Sequence, residues 1–416
     1  EMISRGEMSM QRTLTIVNLF AEKYPVKISD ILLDVNDTTH SIVLMRSSES
    51  YQSNRTYSRK NRNNELTPYY DYRDTATSKF SPFRPEWIKE LRVVENSDPN
   101  NPDVAYNTGH FLHQMTAIVG PVNFYWEVNG RKYCEAMNTG DSNFISPFWK
   151  HSFTSRSEDE EAIIIAVTFS GSVGRARNEL YTLGEKSIEQ FVFDNKNKNR
   201  AIAQLIKQII NNNMLTPSSL QTRFLNHNIN IDIDQILNEK TPKNKDDLKK
   251  FASFFSLPEN IFNFLDDESN LEVIIKKQIS KDSYLYNKKF SDYRISLLAS
   301  HPEMPQVAGF DVKILSHTLK LSSVLYSSLH SFVFNYSQCS LVFEWETEGK
   351  WKTDIIGPSD SLYILPNIKH KFCNKDEKEG ALFIFRAPSY VDINLQKELS
   401  TFSNTARVIE TSAWFN

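Results

Sequence analysis

The sequence predicts a mainly β protein with helical segments. It is a tandem repeat of helical segment plus jelly-roll (double-stranded β-helix) barrel, run through twice. Three observations predict this: a repeat at one constant offset, tight-turn signals inside aromatic and β-branched runs, and an amphipathic helical block between the copies. The repeat pairs Trp126, Glu127, Gly130, Asp141, Pro147, His151 and Phe153 with Trp345, Glu346, Gly349, Asp360, Pro366, His370 and Phe372. Every difference is 219 (345 − 126, 370 − 151), and seven coincidences at one offset mark a duplicated unit.

The repeated part is β. Asn129-Gly130 lies between two strand-type runs and reads as a hairpin turn, and Glu348-Gly349 takes the matching place in copy two. Each hairpin is followed by a turn, a Pro, a His and a long apolar strand, Ala162–Phe169 or Ala381–Ala387. Between the copies the period changes. Ile202, Leu205, Ile206, Ile209 and Ile210 follow helical spacing. Thr216-Pro217 opens a second helix with a cap and a first-turn proline, and Asp246–Phe255 reads as a third. Residues 10–46 carry a weaker helical stretch, and residues 47–66 read as an exposed loop. The expected division is 1–60 as N-terminal helical segment and loop, 61–197 as the first barrel, 198–266 as a helix-turn-helix-like domain, and 267–416 as the second barrel.

Composition narrows the function. The chain has 416 residues, 40% hydrophobic and 24% charged, which suits a globular protein. A net charge of −3 argues against broad capture of nucleic acid or anionic membrane. The segment that would read DNA, Ile231-Asp232-Ile233-Asp234, sets two carboxylates against phosphate, so no nucleic-acid partner is expected. No apolar run reaches the ~18 residues of a membrane span. With three cysteines and no recognisable leader, a reducing cytoplasm is the expected location. A homo-oligomer is compatible with the sequence.

Copy one carries the chemistry. Asn107-Thr108-Gly109-His110-Phe111-Leu112-His113-Gln114 precedes a Thr116–Val119 run that reads as strand. In an extended chain residues 110, 112 and 114 share a face, so His110 and Gln114 look one way and His113 the other. A helix would also bring 110 and 113 together. The second element runs Gly140-Asp141, a spacer, Pro147, three residues, His151, one residue, Phe153. This resembles the second motif of the cupin superfamily, whose members hold a divalent metal between a first-motif pair and this later His. The inward position between Gly140 and His151 is Ile145, so no carboxylate stands there and neutral Gln114 is left as third ligand. Two imidazoles and an amide leave Fe(II) its full charge, which favours a dianionic, chelating substrate. In copy two, 110 + 219 falls on Leu329 and 114 + 219 on Val333; only His370 persists, so the metal is expected in copy one alone.

Together these residues resemble the phosphonate-cleaving non-haem iron oxygenases, the family of hydroxyethylphosphonate dioxygenase and methylphosphonate synthase. The likeness spans essentially the whole chain. The dioxygenase type has Asn-x-Gly-His and a Glu five residues after the Gly of Gly-Asp, whereas the synthase type has His, Gln four residues later, and Ile for that Glu. His110, Gln114 and Ile145 match the synthase type. The resemblance implies Fe(II) on His110, Gln114 and His151, with Asn107 donating to the phosphonate. It implies a lysine of a Lys-Tyr pair at the active site, here Lys23 with Lys27 as rival. It implies Tyr72 of Tyr70-Asp71-Tyr72 as the substrate-facing ring, and an upstream arginine, here Arg62, on the phosphonate. Lys23 and Tyr72 would be the catalytic side chains. The implied reaction is O2-dependent cleavage of 2-hydroxyethylphosphonate to methylphosphonate, CO2 and water, without an external reductant. The alternatives are a dioxygenase or epoxidase outcome, with hydroxymethylphosphonate and formate as the dioxygenase products, a regulator with a cupin sensor, or a metal-free structural bicupin.

Overall fold

The computed structural model describes residues 9–24, 28, 36–194, 196–240, 245–264, 271–279, 282–287, 289 and 292–405. It divides into two compact units, one of Glu1–Gly171 with Glu272–Asn416 and one of Ser172–Leu271.

The larger unit holds both barrels, with strands numbered along the chain. In the first, β2 (Arg55–Lys60), β3 (Leu66–Asp74), β4 (Phe83–Glu90), β5 (His113–Val119), β8 (Ser142–Ile145), β10 (Ile163–Phe169) and β11 (Val273–Lys276) form a sheet of order β11-β8-β5-β10-β4-β3-β2. A three-stranded sheet, β6 (Val122–Val128) between β7 (Arg131–Met137) and β9 (Lys150–Ser155), faces it. The second barrel repeats the plan. Its large sheet is β1 (Ile42–Met45), β18 (Ser361–Ile364), β15 (His330–Asn335), β20 (Gly380–Ala387), β14 (Ala308–Ile314), β13 (Tyr293–Leu297) and β12 (Tyr284–Leu285), in that order. Its small sheet is β17 (Lys350–Ile356), β16 (Leu341–Thr347) and β19 (His370–Asn374). Asn129 and Gly130 have φ of 53° and 77°, and Glu348 and Gly349 have 51° and 71°. Both hairpins thus use two left-handed residues, the turn whose twist matches the strands.

The barrels exchange strands. β1, which precedes the first barrel in the chain, pairs with β18 of the second, Ile42 opposite Ile364. β11, which precedes the second, pairs with β8 of the first, Val273 opposite Ile145. The partners Ile364 and Ile145 are themselves 219 apart (364 − 145), so the exchange obeys the repeat.

Alternation along the strands sorts side chains into three apolar layers. Ile88, Ile118, Phe124, Ile145, Phe153 and Ile164 fill the first lumen. Ile295, Val312, Val333, Phe343, Phe372 and Ile384 fill the second. Trp87, Met115, Phe144 and Ile165 of one large sheet meet Phe332, Phe334, Tyr363 and Phe383 of the other. That shared layer makes the two barrels one body. Residues 47–66 differ from the expected loop: they form a short helix, Ser47–Gln52, and the strand β2. The strand reads as loop because it is an outer edge bearing Arg55, Arg59 and Lys60, the charged dress that keeps an edge from pairing further.

The smaller unit is helical. Lys198–Asn212 buries Ile202, Ile206 and Ile210, and Thr216 caps Pro217–Asn226 through Ser219 N at 3.1 Å. Asp232 caps Ile233–Leu237 through Gln235 N at 3.0 Å, so this carboxylate serves the helix start. No helix among the described residues is long and apolar enough to cross a membrane.

Candidate metal centre

Gln114 is the second residue of β5, and strand register fixes its direction. Gln114, Thr116 and Ile118 face the first lumen while Met115 and Ala117 face the other barrel. Gln114 pairs with Thr168 on one side and Ile145 on the other. Its Nε2 donates to Thr116 Oγ1 at 2.9 Å, which turns Oε1 towards His110.

His110 lies just before β5. The chain reaches it through Gly109, whose φ is +78° and whose absent Cβ would stand 2.4 Å from the Phe148 carbonyl oxygen. Only glycine fits that approach. Phe148 N then donates to His110 O at 2.8 Å, tying the loop before β5 to the turn before β9.

The two ring tautomers follow from their carbonyl partners. His110 Nδ1 donates to Leu112 O at 2.8 Å, and His151 Nδ1 donates to Trp149 O at 2.9 Å. Each Nε2 therefore presents a lone pair, the form a metal takes. The rings stand edge to face with centroids 5.1 Å apart. Burial pushes the His151 pKa down to about 4, so its imidazole is neutral and ready to ligate. His110 Nε2 sits 3.2 Å from Gln114 Oε1. These are two acceptors facing each other with no proton to share, and a cation beside them removes the conflict. Asn107 Oδ1 accepts from Gly109 N at 3.0 Å and from His151 N at 2.9 Å. Its amide nitrogen is thereby aimed inward, 3.0 Å from His151 Nε2. The donor set fits a divalent ion. Among the described residues no three His, Cys, Asp or Glu side chains converge on one point, and the Gln114 amide oxygen is the further donor beside the His110 ring.

His113 lies on the other face, between the sheets, with its ring 5.5 Å from Phe169 and 5.7 Å from Phe144. In the second barrel Ser331 lies opposite Ile364 as Gln114 lies opposite Ile145 in the first, so a serine, and not the Val333 named by the 219 offset, stands in the place of Gln114. His370 keeps the tautomer of His151, its Nδ1 donating to Ile368 O at 2.9 Å.

Of the remaining nominated residues, Tyr72 packs against the core of the first lumen, whereas Arg62 and Lys23 find their partners elsewhere. Tyr72 lies on β3 with its ring 4.9 Å from Tyr57 and 5.9 Å from Tyr70. Burial first, then Glu90 and Glu86, raise its phenol pKa, while the Arg59 charge lowers it. Arg62 is engaged by Asp103, which accepts from its Nε at 2.7 Å and from its backbone N at 2.9 Å. Lys23 ends the helix Met10–Lys23, exposed, with Nζ 5.8 Å from the Tyr24 ring centroid. Lys27 lies outside the described residues. Sequence reasoning missed Thr116, which orients Gln114, and Arg59, the guanidinium whose charge Tyr72 feels. Thr116 shares the strand parity of Gln114, which was a usable signal; Arg59 sits beyond a bulge at Tyr57/Ser58 that hides its face.

Fold and site together define a tandem cupin protein with a metal-type cluster of two histidines and an amide in its first barrel. No family model matches the chain. It is 34% identical over 400 residues to the methylphosphonate synthase of Nitrosopumilus maritimus (strain SCM1), covering 94% of this chain and 84% of that protein. A solved structure of a hydroxyethylphosphonate dioxygenase from Streptomyces albus, with 2-hydroxyethylphosphonate and Fe(II) bound, matches with a TM-score of 0.82 and 28% identity, over 94% of this chain and 86% of that one. A further hydroxyethylphosphonate dioxygenase structure, 14% identical with a TM-score of 0.72 over 95% and 90% of the two chains, shares the fold. The chain belongs to the methylphosphonate synthase family.

Proposed function

We propose that this chain catalyses the Fe(II)- and O2-dependent cleavage of 2-hydroxyethylphosphonate to methylphosphonate, CO2 and water. One observation carries the reading: Ile145, fully buried, lies directly opposite Gln114 where a carboxylate ligand would otherwise stand. His110, Gln114 and His151 would hold the iron, which supplies the oxygen chemistry when bound. All three donors are neutral, so the substrate's own anionic oxygens neutralise the site. That favours chelation through the hydroxyl and one phosphonate oxygen. Asn107, its carbonyl fixed by two backbone N–H groups, offers its amide hydrogens to the phosphonate.

Lys23, Tyr72 and Arg62 remain the nominated substrate residues. Engagement of Arg62 by Asp103 supports Arg59, beside Tyr72, as the more available guanidinium. Exchanging each arginine for Met separates them: the phosphonate-binding one raises KM about tenfold or more, as loss of a charge-assisted bond does. The three free cysteines suit a reducing cytoplasm, where we place the enzyme.

The deciding experiment is anaerobic loading with Fe(II), addition of 2-hydroxyethylphosphonate and air, and phosphorus NMR of the product. Methylphosphonate supports the synthase reading. Hydroxymethylphosphonate with formate would keep the site and overturn the product.

A further inference from the structure

The second barrel has lost the partners of its histidine but has gained a cation in the same lumen. Along β20, Leu382 and Ile384 belong to the second lumen, whereas Phe383 and Phe385 belong to the layer between barrels. Arg386 follows Ile384 by two and so shares the lumen face. Its guanidinium carbon stands 5.6 Å from the ring centroid of Phe310, which packs against that lumen's core. Arg386 Nε is enclosed and has no hydrogen-bond partner among the described residues. No described carboxylate lies within ion-pairing distance of it; Tyr284 and Tyr286 are the neighbours that favour its charge.

His370 is the second half. It is 1% exposed, and its Nε2 also lacks a partner among the described residues. Because Nδ1 donates to Ile368 O, Nε2 is an acceptor. The Arg386 charge reaches the ring and disfavours its protonation, which keeps the lone pair free. One lumen thus holds a part-buried guanidinium whose enclosed Nε is unmatched and an enclosed neutral acceptor that is unmatched too. Enclosed polar groups left unmatched are costly, and native proteins seldom keep them without a partner.

We propose that the second barrel is a binding site for a small oxyanion that carries an O–H group, such as hydrogen phosphate or a phosphonate monoanion. Its anionic oxygens accept from Arg386, and its O–H donates to His370 Nε2. No bond is made or broken. The site is independent of the iron reaction.

Equilibrium dialysis of the metal-free full-length chain against labelled inorganic phosphate, and separately sulfate, tests this near neutral pH. Sulfate matches phosphate in shape but has no O–H to give. The wild type should hold one phosphate that survives Asn107→Ala, with sulfate roughly tenfold or more weaker, as one lost hydrogen bond in an enclosed site predicts. Arg386→Met should abolish binding of both anions at this site. His370→Phe should bring phosphate down to the sulfate level. Methylphosphonate competes with phosphate for the site, and the stronger competitor names the source. Phosphate binding unchanged in Arg386→Met and His370→Phe would overturn the proposal. If Arg386→Met loses its far-UV circular dichroism, the phosphate-to-sulfate ratio of His370→Phe decides alone: a ratio that stays at the wild-type value sinks the idea.

Discussion

At the residue scale the site turns on which groups are neutral. In the proposed site, the pairing of Gln114 with Ile145 leaves no carboxylate beside the metal, and the substrate would supply the missing charge. Ile145→Glu should therefore tighten Fe(II) while repelling the dianion. The expected signature is KM for 2-hydroxyethylphosphonate raised about tenfold, the order of a ~1.4 kcal/mol charge interaction, with Fe(II) retained through chelator washes that strip the wild type. Unchanged KM would mean that the substrate does not feel charge at this position. Thr116 acts one step back. Thr116→Val leaves Gln114 Nε2 without its 2.9 Å partner, so the amide can turn its nitrogen to the metal. Anaerobic Fe(II) titration should show affinity lowered roughly tenfold to a hundredfold, the range for lost supporting bonds, with Thr116→Ser close to wild type. The cluster proposed to hold the metal was legible because His110, Gln114 and His151 are local in sequence or carried by a spaced motif. Arg59 was not, since a bulge resets its parity, and Arg62 looked free because its partner Asp103 lies 41 residues away.

At the element scale the distinctive feature is the reciprocal exchange of β1 and β11. Each is four residues long, yet each completes the large sheet of the other barrel. Ile42 is 4% exposed and belongs to the second lumen although it precedes the first barrel. Ile42→Ala should cost on the order of 2–5 kcal/mol, the range for truncating a buried Ile, and the loss should fall on the second barrel. Hydrogen exchange locates it: the amides of β18, the partner of β1, should open before those of β8. Equal loosening of β8 would mean that the strand does not act where it pairs. The hairpins of both copies could be read because Asn129-Gly130 and Glu348-Gly349 specify their turns locally. The exchange could not, because nothing in a four-residue apolar run names a partner more than 300 residues on. The same limit explains β2, whose edge position gave it the polar dress of a loop.

At the scale of the whole molecule, buried titratable groups pull stability in opposite directions with pH. Burial lowers the pKa of His370 and of His330 to about 4, below the ordinary 6.5. Between those values the unfolded chain binds protons that the folded one refuses. Their contribution is therefore complete above pH 6.5 and is lost as pH falls towards 4, at up to about 1.4 kcal/mol per pH unit for fully buried His370. Glu90 works the other way. It is 3% exposed, neither carboxyl oxygen has a partner among the described residues, and burial raises its pKa well above the usual carboxylate range. Its folded form holds the proton, so its contribution is complete below about 4.5, the ordinary glutamate range, and is lost as pH rises. Glu90 N donates to Ala162 O, six residues along β10 from the partner of Gln114 (168 − 162). At ~3.3 Å per residue that is about 20 Å along the sheet from the backbone beside Gln114. Glu90→Gln should thus spare Fe(II) affinity, leave stability at pH 4 nearly unchanged, and raise it at pH 8. His370→Phe should instead flatten the acid limb. Urea unfolding across pH 4–8 reads both variants. An unchanged alkaline limb in Glu90→Gln would show that the carboxyl finds a partner when it ionises, and would leave the acid limb to the histidines alone.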